Sequence, residues 1–303
     1  MRFKERSEDF CVSEAMMLPL LSKGKYMYFL LRKTDWATFD ALRKISLAAH
    51  IPFGQIGYSG LKDKRAVTEQ YLSVPSSLGK RLERVRLPRI TLTFVGYGEE
   101  RITLGMVTKN RFRIVVRDLD TKRTLMVEKV KNTFDTQRFQ GNSLSVGKAL
   151  VQQNFSNACA LLHLPVEGKD FLGALRKIHR RFLRFYLSAY QSWLWNKVAQ
   201  EVPGTAEHVP LLGYLTRFSD PFVASAYKRL MKDEHICLEH FLMKPFPELS
   251  TPGGERALYF PVYDFHYQWS DDSSPGTYAC TLEFSLPKGC YATLVIKHLF
   301  KEQ

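Results

Sequence analysis

Apolar and polar positions follow three regimes along the chain: strand-like at the start, helical through the middle, strand-like again at the end. Residues 9–14 (Asp-Phe-Cys-Val-Ser-Glu) keep the period of two of a half-buried strand, and residues 25–32 form a second, aromatic-rich one. Between 35 and 49, Phe39, Leu42, Ile45 and Leu47 recur near helical spacing, with Thr34 or Asp35 available as the cap. Further strands are expected at 71–75, 90–97 and 111–117, and a helix at 125–134. Helical spacing then dominates from about 142 to 200, in 144–160 and 174–201, whereas 202–254 is rich in Pro and Gly and resists assignment. Strand character returns in 281–287 and 291–296. Strands and helices without regular β-α-β alternation favour an α+β fold with a mainly antiparallel sheet and flanking helices, interrupted by a helix-rich insertion.

Composition allows that organisation. With 303 residues, 45% of them hydrophobic, the chain is long enough for two domains and can bury a core; nothing suggests disorder. Charge narrows the function: 44 Lys and Arg against 30 Asp and Glu, a net +14, point to nucleic acid before any other partner. No apolar run approaches the ~20 residues of a membrane span, and residues 1–6 lack the apolar core of a signal peptide, so a cytoplasmic protein is expected. Five scattered cysteines without a C-x-x-C read as reduced thiols. His235 and His240 lie five apart, which is not the spacing of a helical metal pair, and no metal or cofactor is expected.

One stretch concentrates chemistry. In Gly57-Tyr58-Ser59-Gly60-Leu61-Lys62-Asp63-Lys64-Arg65, a single carboxylate follows a glycine turn and is flanked by three cations. Such cations favour the ionised carboxylate, which suits a nucleophile or an electrostatic stabiliser and would sit well beside a polyanionic substrate. A solvated surface turn would carry the same residues. A second cationic block, Arg176 to Arg184 with Phe182 inside it, reads equally as a solvated helix face or as an RNA contact.

Five ordered motifs then resemble the TruD family of tRNA pseudouridine synthases. Gly60-Leu61-Lys62-Asp63 with Ala66, Thr68 and Gln70 is similar to its G-x-K-D-x-x-A-x-T-x-Q signature, and Glu8-Asp9-Phe10-Cys11-Val12-Ser13-Glu14 to its E-D-F-x-V-x-E segment. Leu104-Gly105 with Asn110 and Phe112, Asn132 to Phe139, and Leu286 to Thr293 resemble three more. The resemblance implies a pseudouridine synthase core in 1–130 and 266–303 and a TruD-type insertion in 131–265. It makes Asp63 the catalytic aspartate and places Phe10, Asn110 and Tyr291 at the target nucleotide. Lys4 and Glu14 would line the same pocket, and Lys62, Phe112 and Arg138 complete the substrate-binding candidates. It also implies tRNA as the partner, uridine-13 of the D arm as the usual target, and no cofactor; a monomer is expected as the simplest state. Two departures stand out: Asp135 where a glycine is usual, and a glycine displaced to Gly141.

Two other classes compete. A basic RNA-binding protein or chaperone on the same fold would have no use for an anion facing phosphates, so the presence of Asp63 argues against it. A nucleotide-binding glycine loop fails on spacing, because Gly54, Gly57 and Gly60 before Lys62 do not give G-x-x-x-x-G-K-[ST].

Overall fold

The computed structural model of the protein describes residues 1–300. The chain opens with β1 (Arg2–Phe3), β2 (Phe10–Ala15), β3 (Tyr26–Thr34), α1 (Thr38–Ala49), β4 (Gly57–Tyr58), β5 (Val67–Pro75), α2 (Ser76–Glu83), β6 (Ile90–Gly98) and β7 (Lys109–Leu119). Its middle holds β8 (Lys129–Lys131), α3 (Ser143–Val151), α4 (Phe155–Leu161), α5 (Phe171–Arg176), α6 (Arg180–Glu201), β9 (His208–Leu211), α7 (Pro221–Asp233), β10 (Gly254–Ala257) and β11 (Tyr259–Pro261). It closes with β12 (Tyr263–Asp271), β13 (Tyr278–Pro287) and α8 (Ala292–Phe300). Two compact units result: Met1–Val130 joined by the segment from Pro261 onward, and Lys131–Phe260. β12 starts at Tyr263, ahead of the boundary expected after residue 265.

In the first unit the described residues form a nine-stranded sheet ordered β12-β13-β7-β2-β5-β3-β6, with β1 added on β7 and β4 on β5. This is the expected α+β class; β2 and β5 run parallel, and the other neighbours are antiparallel. Phe29, Leu31, Leu72 and Val74 of β3 and β5 share one core with Ala41, Leu42 and Ile45 of α1 and Leu82 of α2, so the apolar stripe of α1 is what seats it. Register matters most in the centre. Glu14, Asn110 and Leu286 lie side by side across β2, β7 and β13, and Val12, Phe112 and Phe284 form the next row on the same face.

In the second unit α6 is the spine. Its Leu183, Leu187, Leu194, Trp195 and Val198 form a buried stripe, and the Trp195 indole donates to the Val209 carbonyl at 2.9 Å. The departures from the family pattern have local explanations here. Asp135 has an ordinary φ of −79° and accepts from the Thr136 amide at 2.7 Å, so it caps the turn that follows. The displaced Gly141 takes the positive φ, 56°.

Four elements differ from expectation. Residues 125–134 form β8 and extended chain, because Phe134 exchanges both backbone groups with the Asn196 amide (2.8 and 2.9 Å) instead of with its own helix. Residues 144–160 break into α3 and α4 at Gln153, whose φ is 56°, and Asn154 caps the second piece. Residues 174–201 break before Arg180, where the His179 ring accepts from the Arg181 amide. The run 291–296 belongs to the buried helix α8; an apolar run on all sides cannot be told from a buried strand by periodicity.

Candidate active site

Asp63 sits on the loop joining β4 to β5, and almost every residue before it is tied down. Gly57 begins the loop against the sheet: a Cβ there would come within 2.3 Å of Ser73 Oγ and 2.4 Å of the Ile102 carbonyl. The Ser59 carbonyl accepts from the Gly105 amide at 2.8 Å, and its hydroxyl donates to Glu14 at 2.5 Å. Gln70 Nε2 donates to the Gly60 carbonyl at 3.1 Å, and the Lys62 amide donates to Thr38 Oγ1 at 2.8 Å. The Asp63 carbonyl itself accepts from Lys33 at 3.0 Å. Leu61 alone in this run is left exposed, at 62%. A carboxylate on a loop held this way has little orientation left to lose when a substrate arrives.

The crowd of three cations expected around Asp63 does not form. Lys62 turns into the sheet and pairs with the buried Glu14 at 2.6 Å, and Arg65 donates to the Glu5 carbonyl at 2.9 Å. The partner of Asp63 is Lys4, 2.6 Å away. The same ammonium lies 3.8 Å above the Phe10 ring, so Lys4 is held by a charge on one side and an aromatic face on the other. Lys4 also has φ of 60°, an uncommon backbone for a side-chain-bearing residue. The Asp63 side chain remains 48% exposed and reachable from solvent.

Glu14 serves structure more than pocket lining. It is fully buried and accepts from Ser59, from Lys62 and from the Tyr71 amide at 3.0 Å. Phe10 is 3% exposed and meets Phe112 edge-on at 6.2 Å, while Phe112 stacks on Phe284 at 5.5 Å. These rings are buried together, and Lys4 covers one face of Phe10. Asp9 fixes this end of β2: Arg117 grips both its oxygens at 2.6 and 3.0 Å. Burial raises the Asp9 pKa, but that grip and the Arg6 amide outweigh it and hold the group below the usual carboxylate range.

Asn110, in the row with Glu14, keeps a buried side-chain oxygen with no hydrogen-bond partner. An unanswered acceptor of this kind costs free energy unless something else supplies a donor. Tyr291 is half-buried in the loop between β13 and α8. That loop reaches the Asp63 loop by a chain of contacts: Lys288 donates to the Gly105 carbonyl at 2.9 Å, and Gly105 donates to Ser59. Arg138 belongs to the second unit, where it donates to Ser188 at 2.8 Å and lies over Phe185.

Sequence reasoning missed Lys33. It lies at the end of β3, one residue past the strand expected over 25–32, and is wholly buried, donating to the carbonyls of Trp36 (2.6 Å) and Asp63. Burial is the main reason its pKa falls from 10.5 to about 8, against the opposing pull of Asp63 and with help from Lys62. The unfolded chain keeps this proton up to the ordinary lysine range, so it binds more protons than the folded one between those values, and stability rises with pH there. The unfolding free energy of wild type minus that of Lys33→Met should therefore rise from pH 8 to 10.5. A difference that ignores pH would mean that the ammonium reaches solvent.

Fold and site together define a class: an α+β protein whose sheet presents one rigidly held, cation-paired carboxylate to solvent. The sequence model of the tRNA pseudouridine synthase D (TruD) family matches residues 1–163 and 204–299. The chain belongs to the TruD family, a family of isomerases. A Thermococcus onnurineus (strain NA1) protein named "Probable tRNA pseudouridine synthase D" is 27% identical over 402 positions, covering 99% of this chain and 95% of that one. The tRNA pseudouridine synthase D of Aquifex aeolicus (strain VF5) is 26% identical over 383 positions, covering 99% and 98%. The crystal structure of a Methanosarcina mazei protein assigned to TruD superposes with a TM-score of 0.81 at 23% identity, covering 99% of this chain and 93% of that one. Aligning 303 residues over 402 positions leaves at least 99 of them without a counterpart here, so the aligned part of this chain has a shorter interior than its archaeal relative.

Proposed function

We propose that this protein isomerises uridine to pseudouridine in tRNA, at uridine-13 of the D arm, with Asp63 as the catalytic group. The observation that carries the reading is the Asp63 carboxylate itself, open to solvent on a loop otherwise pinned to the sheet, with Lys4 as its counter-charge. The reaction breaks the N1–C1′ bond and joins C1′ to C5 of the same uracil. The C5 proton leaves and N1 regains one, so atoms balance without redox change. Asp63 serves as nucleophile or base in this exchange, and Lys4 keeps its charge in place until the substrate arrives.

The target base has to leave its stack, at a cost of a few kcal/mol, to reach the carboxylate. Tyr291 is the available stacking platform, worth about 1–3 kcal/mol per base. Phe10 serves the same purpose once Lys4 swings from its ring toward the substrate. The unanswered Asn110 oxygen fits the N3–H of a uracil, which supplies the missing donor. Phe112 supports Phe10 from below, and Lys62 acts by bracing the loop through Glu14. The Lys131–Phe260 unit is the family's insertion, and the protein works as a cytoplasmic monomer. Among the described residues no helix is long and apolar enough to cross a membrane, and the five cysteines are free thiols.

The test is a tRNA transcript labelled with tritium at uridine C5, incubated without cofactor. Wild-type protein should release tritium, and carbodiimide mapping should then mark position 13. Binding without release would leave only an RNA-binding protein.

A further inference from the structure

We propose that the Lys131–Phe260 unit carries a second RNA site of its own, a groove along the start of α6 that takes an unpaired nucleotide of the same tRNA. The proposal rests on the function proposed above for the substrate, but on residues outside the Asp63 site. A groove of about 920 Å³ is lined by Gln140, Asn142, Arg181, Phe182 and Phe185, with His179 and Tyr186 at its edge. Phe182 is 57% exposed, although an aromatic ring at a helix start would ordinarily be folded into the core beside Leu183.

Charge names the occupant. From Phe171 to Gln200 there is no Asp or Glu, while Arg176, Lys177, Arg180, Arg181 and Arg184 fall within nine consecutive residues. Among the described residues, Arg180 and Arg181 have no side-chain hydrogen bond or ion pair, so their charge is not spent inside the protein. Smaller grooves flank the first: one of about 410 Å³ with Arg176, Lys177, Arg180 and the shared His179, and one of about 430 Å³ with Arg138, Arg184 and the shared Phe185. Glu248 lines both flanking grooves; its carbonyl accepts from Arg184 at 2.9 Å. Guanidinium groups in series with the exposed Phe182 ring among them suit a phosphate backbone with a stacked base. Gln140 adds an amide able to meet a base edge, Asn142 offers its side-chain oxygen while its amide nitrogen donates to the Leu161 carbonyl at 3.3 Å, and Ser143 of the same groove has a buried hydroxyl without a partner.

The groove's α6 wall lies outside the TruD match, which stops at 163 and resumes at 204. In a chain with a shortened interior, a compact aromatic and arginine site is an economical way to hold the RNA body.

Binding of a fluorescein-labelled tRNA transcript would be followed by anisotropy in the Asp63→Asn background, so that turnover plays no part. Phe182→Ala should weaken binding about five- to a hundredfold, and Phe182→Trp should retain it. Arg180→Ala with Arg181→Ala should lower the slope of log affinity against log salt by about 1.4. In the otherwise wild-type enzyme, Phe182→Ala should raise KM for tritium release and leave kcat unchanged. Unchanged affinity in Phe182→Ala would overturn the site, and so would a loss that Phe182→Trp does not repair. Absence of tritium release from wild type would count against the catalytic reading alone, because the anisotropy measurement needs no reaction.

Discussion

Asp63→Asn is expected to abolish tritium release, by at least about a thousandfold, while tRNA binding should change less than about threefold. The substitution keeps shape and removes charge. The amide that replaces the carboxylate cannot form the ion pair with Lys4, yet the loop stays pinned by Thr38, Gln70 and Lys33, none of which touches the carboxylate. Lys4 then faces RNA with no counter-charge, which favours phosphate and compensates the lost contact. Single-turnover release and equilibrium binding on the same preparations check both halves. A variant that turns over at a tenth of the wild-type rate would remove Asp63 from the chemistry. One that no longer binds tRNA would mean that the carboxylate orders the site and does not react.

Glu14→Ala is expected to destabilise the first unit by about 3–5 kcal/mol, because it strands the Lys62 ammonium, the Ser59 hydroxyl and the Tyr71 amide in a buried setting. For a unit of this size the melting temperature should fall by about 6–20 °C. Removing both charges, in Glu14→Leu with Lys62→Met, should recover the part of that loss due to the stranded ammonium, while the Ser59 hydroxyl and the Tyr71 amide stay without their acceptor. Activity should not return with stability: the pair braces the turn that carries Asp63. Thermal unfolding and tritium release, run on the single and double variants, separate the two effects. Recovery of both together would show that Glu14 matters only to folding.

Much of the architecture was legible in the residues. β2 and the middle of β7 bury alternate residues, and β3 and β6 are rich in aromatic and branched side chains, so all four were located within a residue or two. Where periodicity carried no information, the reading slipped. The α8 run is apolar throughout and its type is set by packing. The 125–134 stretch gave up helix for partners on α6 that lie some sixty residues further on.

At the site the division is sharper. Sequence by itself determined the chemistry on offer: one carboxylate among cations after a glycine turn, a basic chain, and motifs that order these along the family pattern. Only the tertiary structure decided which cation meets which acid. Ion pairs depend on a few ångströms in three dimensions, and chain neighbours on an extended loop point apart. Lys62, adjacent to Asp63, is turned away to Glu14, whereas Lys4, fifty-nine residues away, holds the carboxylate. Lys33 shows the same limit: burial turned an unremarkable cation into the anchor of the Asp63 loop, and burial is a property of the fold.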